Sequence, residues 1–109
     1  MEPLIELLRQ LEAHNEVLSI ARSKYLGKEA ERKHKEATLI NSSQGKSHAE
    51  KVTLAQGTKE WLSFHRELAH LESDYQYELF KHEIMKLEYQ ARYLNQKQDG
   101  DLIGRPKPD

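Results

Sequence analysis

The chain has 109 residues, a formal net charge of −1 and no cysteine. That length suits one domain, and the missing thiols exclude a disulfide framework and any thiolate metal site. Apolar residues make up 37% and charged residues 32%, against about 45–50% and 25% in an ordinary globular domain, so the composition suits a thin helical rod better than a compact globule. No apolar run approaches the 18 or so residues of a membrane span. The acidic, amphipathic stretch from Met1-Glu2-Pro3 is unlike a secretory signal, and a reducing, cytoplasmic setting is the expectation.

Pro3 suits the first turn of a helix. Leu4, Leu7, Leu11, His14, Leu18, Ala21 and Tyr25 then alternate at spacings of 3 and 4, the heptad seam of a coiled coil with one polar layer at His14. Gly27 weakens the helix without ending it. Lys28 to Glu36 has Ala30 as its only apolar residue, so this stretch is either solvated or binds something charged. Ala37, Leu39 and Ile40 restore an apolar edge, and Asn41 to Lys46 has the composition of a turn. Ser47-His48-Ala49-Glu50 has the form of a capping box, in which Glu50 reaches back to the Ser47 N–H.

The spacing then predicts one helix over 47–97 with two apolar stripes. Trp61, Phe64, Leu68, Leu71 and Tyr75 form the first; Tyr77, Phe80, Ile84, Leu87, Ala91 and Leu94 form the second. The stripes are out of phase by two residues, about 200° around the helix, so a single partner helix does not cover both. One broad apolar face, with Leu79, Met85, Tyr89 and Tyr93 filling the gap, is the plainer alternative. The tail 98–109 holds Gly100, Gly104, Pro106 and Pro108 and reads as disordered.

The expected fold is therefore all-α: an antiparallel, coiled-coil-like helical hairpin over 1–97, with helix 3–41, turn 42–46 and helix 47–97. A turn at 42–46 sets Tyr25 against Phe64, Ala21 against Leu68, Leu18 against Leu71 and His14 against Tyr75. Residues past about Lys86 overhang the start of the first helix. The second stripe stays uncovered, which makes Tyr77, Phe80, Ile84, Leu87 and Leu94 the expected interface of a homo-oligomer.

Charge is distributed unevenly. Residues 22–51 carry eight bases and four acids, 60–88 carry seven acids and three bases, and 1–21 carry four acids and one base. The turn end is thus basic, and Arg22, Lys24, Lys28, Arg32, Lys33, Lys35 and Lys46 are the candidate phosphate-contacting residues. A solvated face with internal Glu–Lys pairs is the competing reading.

No catalytic constellation emerges. Glu31/His34 and Glu67/His70 have the Glu-x-x-His spacing of di-iron bundles, but the hairpin register does not bring the pairs together. Gly45-Lys46-Ser47 lacks the upstream glycine and strand of a phosphate-binding loop. His14 and His82 fall on or near the seams, where a histidine is usually a polar layer that sets register; tuning of assembly near its reference pKa of about 6.5 is the alternative. The chain is expected to be no enzyme and to take neither metal nor cofactor.

Over Leu18–Lys97 the pattern resembles the UvsY-type recombination mediators of T-even phages. The features concerned are Tyr25 followed by the Lys- and Glu-rich run to Glu36, the small polar turn Ser42 to Lys46 with its glycine, and the long second helix with Trp61. The resemblance implies a helical, oligomeric accessory protein that binds single-stranded DNA, helps load a recombinase and works in the cytoplasm of a phage-infected host. Two classes of function stay open: single-stranded nucleic-acid binding through the basic hairpin end, and a protein–protein adaptor or assembly subunit whose charges only keep it soluble.

Overall fold

The computed structural model describes the backbone of residues 2–104 and the side chains of residues 2–97. It is all-α, in the order α1 (Glu2–Asn41), α2 (His48–Gln56) and α3 (Lys59–Gly104), with no β-strand among the described residues. The chain divides into two compact units, Ser19–Tyr77 and Met1–Leu18 with Glu78–Asp109, so α1 and α3 each contribute to both.

The unit Ser19–Tyr77 is an antiparallel helical hairpin. Its apolar centre is Ala55, Phe64 and Leu68, with Ala21, Tyr25, Trp61, Leu71 and Tyr75 half-buried around them. Tyr25 stacks on Tyr75 at 5.9 Å between ring centroids, and His65 on α3 lies 3.0 Å from Glu36 on α1. The seam does not stop at Tyr25: Lys28 and Arg32 continue its spacing and are also half-buried.

The predicted second helix is interrupted. α2 ends at Gly57, whose N–H bonds the Leu54 carbonyl, and Thr58 caps α3 by accepting the Trp61 N–H on its Oγ1 at 3.2 Å. A glycine followed by a hydroxyl residue ends one helix and starts the next, satisfying the backbone groups that both helix ends leave open. The connection between the long helices is therefore 42–58 rather than 42–46. Each inward residue of α1 accordingly meets an α3 residue further along than the short turn predicts, by roughly one heptad on average. Tyr25 meets Tyr75 instead of Phe64, and His14 meets Glu78 and His82 instead of Tyr75. A slip of about one heptad keeps the inward phase, which is why the seam residues stay inside although their partners change.

The turn itself is tight. Gly45 is buried, and a Cβ there would lie 2.6 Å from the Lys51 backbone nitrogen. Ser47 Oγ accepts from the Glu50 N–H at 3.1 Å, as the capping box requires. The return bond differs: Glu50 Oε2 accepts from the Lys46 N–H at 3.3 Å, not from that of Ser47.

In the other unit, Leu4, Leu7, Leu11, His14 and Leu18 are the inward residues of α1, and Glu78, Leu79, His82, Met85 and Tyr89 are those of α3. Tyr89 remains half-buried beyond the point where the overhang was expected, as the shifted register requires. α3 then runs on to Gly104, so 98–104 is helical rather than a disordered tail. A glycine costs a helix only about 1 kcal/mol, and Gly100 does not stop one that is already propagating. Residues 105–109 of that expected tail lie outside the described residues.

Candidate interaction surfaces

The predicted basic end separates into two groups. Lys28 and Arg32 are engaged within the protein. Lys28 Nζ lies 2.9 Å from Glu67 Oε2 and 4.7 Å from the centre of the Phe64 ring, so its ammonium is covered on one side by an aromatic face. Arg32 sits between two carboxylates, Nε at 2.8 Å from Glu29 and Nη1 at 3.2 Å from Glu36. The Glu29 hydrogen bond, then the charges of Glu29 and Glu36, raise the guanidinium pKa further. Glu36 uses its other oxygen on His65 Nε2, while His65 Nδ1 faces the Trp61 carbonyl at 2.9 Å and the His65 ring stacks on the indole. Both ring nitrogens thus face acceptors, and both contacts are satisfied when each carries a proton.

Arg22, Lys24, Lys33, Lys35 and Lys46 form the second group. All five are exposed, and no carboxylate lies within ion-pair distance of their side chains among the described residues. The aromatic residues of the same unit are less open than these bases: Phe64 is buried, while Tyr25 and Trp61 are half-buried. Burial, and after it the charge of Glu72, raises the pKa of the Tyr25 phenol.

A polar cluster crosses the second unit. His14, the one buried polar residue of α1, is only 7% exposed. Its Nε2 donates to Glu78 Oε2 at 2.6 Å, and its Nδ1 lies 3.1 Å from His82 Nδ1, the rings stacked at 5.3 Å. With Nε2 protonated on His14, the neutral ring's Nδ1 accepts from His82. The cluster is a satisfied polar layer that sits in the heptad phase and requires these two helices in this register. Its histidines were readable as seam residues, but Glu78 was not, because it follows the first stripe in phase while belonging to neither apolar run.

The outer face of α3 carries an uncovered run of large apolar side chains. Phe80 is 67%, Leu87 64%, Tyr77 63%, Leu94 55% and Ile84 48% exposed. Ala91 lies on the same face and is also exposed. The second stripe therefore does not pack inside the chain. Of the residues expected to bridge the stripes, Leu79, Met85 and Tyr89 turn inward and Tyr93 outward, stacked on Tyr89 at 6.4 Å. α1 also exposes Ile5, Leu8, Val17, Ile20 and Leu26, but they lie on both flanks of its seam and form no single stripe.

No helix among the described residues is long and apolar enough to cross a membrane. The fold and these surfaces define a helical protein with a polar-layered seam and an open apolar stripe. No protein family, curated protein or solved structure matches the chain.

Proposed function

We propose that the protein is a homo-oligomeric assembly subunit that associates through the outer face of α3. The observation that carries this reading is the run of five large apolar side chains, Tyr77, Phe80, Ile84, Leu87 and Leu94, each about half exposed or more along one helix face. Burying such a side chain contributes roughly 1.5–3 kcal/mol, and self-association of an open apolar stripe is a direct way to bury it. Sedimentation equilibrium tests the reading. The wild type sediments heavier than one chain of 12.8 kDa, and Ile84→Glu lowers the mass while the helical circular dichroism is kept. A wild type that stays monomeric at every concentration refutes it.

Contact with single-stranded nucleic acid is a second reading, supported by the five exposed bases that have no acidic partner among the described residues. It is the accessory role that the resemblance to recombination mediators implies, with a recombinase as a further partner. Lys28 and Arg32 are poorer candidates than their spacing suggests, because each phosphate contact would have to displace a carboxylate already in place. Each phosphate contact on a single strand adds about 0.7 to the salt slope of binding. Arg22→Ala, Lys24→Ala and Lys33→Ala combined should therefore flatten that slope by about 2. Absence of any single-strand binding at low salt eliminates this reading and leaves the assembly reading untouched.

A further inference from the structure

The outer stripe has a symmetry that specifies how it pairs. Tyr77, Phe80, Ile84, Leu87, Ala91 and Leu94 recur at 3, 4, 3, 4, 3, a sequence of spacings that reads the same in both directions. A seam of this kind superposes on itself when a second copy runs antiparallel, related by a twofold axis passing between Met85 and Lys86. We propose that the occupant of this face is the α3 of a second copy, antiparallel and in that register. The proposal rests on the assembly reading above and adds to it the partner and the geometry.

The side chains that meet in this register fit one another. Ile84 faces Leu87 of the second copy at the centre of the seam. Phe80, the most exposed large side chain of the stripe at 67%, faces Ala91, the smallest. Tyr77 faces Leu94 at the ends. Large against small across a seam lets the layers interdigitate without a void. The matched stretch is about 25 Å long at 1.5 Å per residue.

The flanking charges select the direction. In an antiparallel pair, flanking positions meet their own kind, which sets Lys81 against Glu88 of the second copy, twice by symmetry. Glu83 then meets Gln90, Gln76 meets Lys97 and Asp74 meets Asn95, so no flank sets like charges together. Lys81, Glu83 and Glu88 are all exposed and free to turn toward a neighbour; Glu83 and Glu88 rest on Lys86 and Arg92 of their own helix at 3.2 and 3.3 Å. A parallel pair would instead set Glu83 against Glu88 of the second copy, twice, and would stack Phe80 on Phe80 and Ala91 on Ala91. Like charges and mismatched volumes both count against it.

The two directions give opposite signs for one substitution. In the antiparallel pair, Glu88→Lys sets its new ammonium against Lys81 of the second copy, a repulsion. In the parallel pair the same ammonium meets Glu83, an attraction. The expected result, by sedimentation equilibrium at low salt, is a dimer dissociation constant raised roughly tenfold in Glu88→Lys and also in Lys81→Glu. The double variant Lys81→Glu/Glu88→Lys returns to near the wild-type value. Tighter association of Glu88→Lys, or a double variant no better than the singles, overturns the antiparallel register. Disulfide trapping checks the geometry independently, since the natural chain has no cysteine. A mixture of Phe80→Cys and Ala91→Cys chains should trap mixed dimers, because the two positions face each other. The trapping of Phe80→Cys with itself would refute the proposal, since those positions lie about 16 Å apart along the antiparallel seam. A monomeric wild type refutes the assembly reading itself, whereas association through Ile84 with the wrong charge sign refutes only the register.

Discussion

Phe64 and Phe80 lie on the same helix and have the same chemistry, but the structure assigns them opposite fates. Phe64 is 6% exposed, and Lys28 caps its ring at 4.7 Å; Phe80 is 67% exposed and lies outside the seam. Replacing a buried phenylalanine with alanine costs about 3–5 kcal/mol from lost transfer and the cavity left behind, and the lost cation–π contact adds about 0.5–1 kcal/mol. The apolar residues buried among the described ones are only Ala55, Phe64 and Leu68, so little else compensates. Against a total stability of order 5–15 kcal/mol, Phe64→Ala should lower the urea midpoint severely and at every protein concentration. Phe80→Ala should change the stability of the isolated chain by less than about 1 kcal/mol, within the range of exposed positions. Its effect should grow with protein concentration, because it removes stabilisation that only association supplies. Urea denaturation followed by circular dichroism, at a dilute and a concentrated sample, reads both effects. If Phe80→Ala destabilises the dilute protein as much as Phe64→Ala does, the inward and outward phases of α3 are wrongly assigned and the assembly argument falls with them.

Two other positions give equally direct tests. Gly45→Ala puts a methyl group 2.6 Å from the Lys51 backbone nitrogen, so the turn or the start of α2 must shift; about 1–3 kcal/mol of lost stability in urea is the expected outcome. Tyr25 tests pH dependence: burial first, and the Glu72 charge second, raise its phenol above the ordinary value of 10.0. Folding therefore favours the neutral phenol. The stability this supplies is fully present below the unfolded value and is lost as pH rises through the folded one. Tyr25→Phe should accordingly lose less stability than the wild type between about pH 9 and 11, the window around that reference value, in urea titrations at each pH. Equal losses would show that the phenol is no more shielded in the folded chain than in the unfolded one.

Most of what the sequence determined is periodicity. The inward set Leu4, Leu7, Leu11, His14, Leu18, Ala21 and Tyr25 follows from its 3–4 spacing, and every member is half-buried or buried. The opposition of the two α3 stripes follows in the same way, since helical phase is a local property of the chain. The capping box at Ser47 was half legible: its first bond needs only two neighbouring residues, but the return bond went to the Lys46 N–H.

The partner of each residue was not a local property. It depended on the length of the connection, and that turned on Gly57-Thr58, where a weak helix former next to a capping residue can be absorbed into a helix or can end one. The tertiary arrangement ended it there, and the pairing moved by roughly one heptad. The same shift set His14 beside Glu78 and His82 and drew Lys28 against Glu67 and Phe64, whereas Arg32 pairs with Glu29 and Glu36 three and four residues away on its own helix. Counting charges along the chain identified a basic end, but whether Lys28 is free depends on which carboxylate the register puts within hydrogen-bonding reach of it. Periodicity therefore fixed which faces turn inward, and only the packed structure decided which charges those faces neutralise.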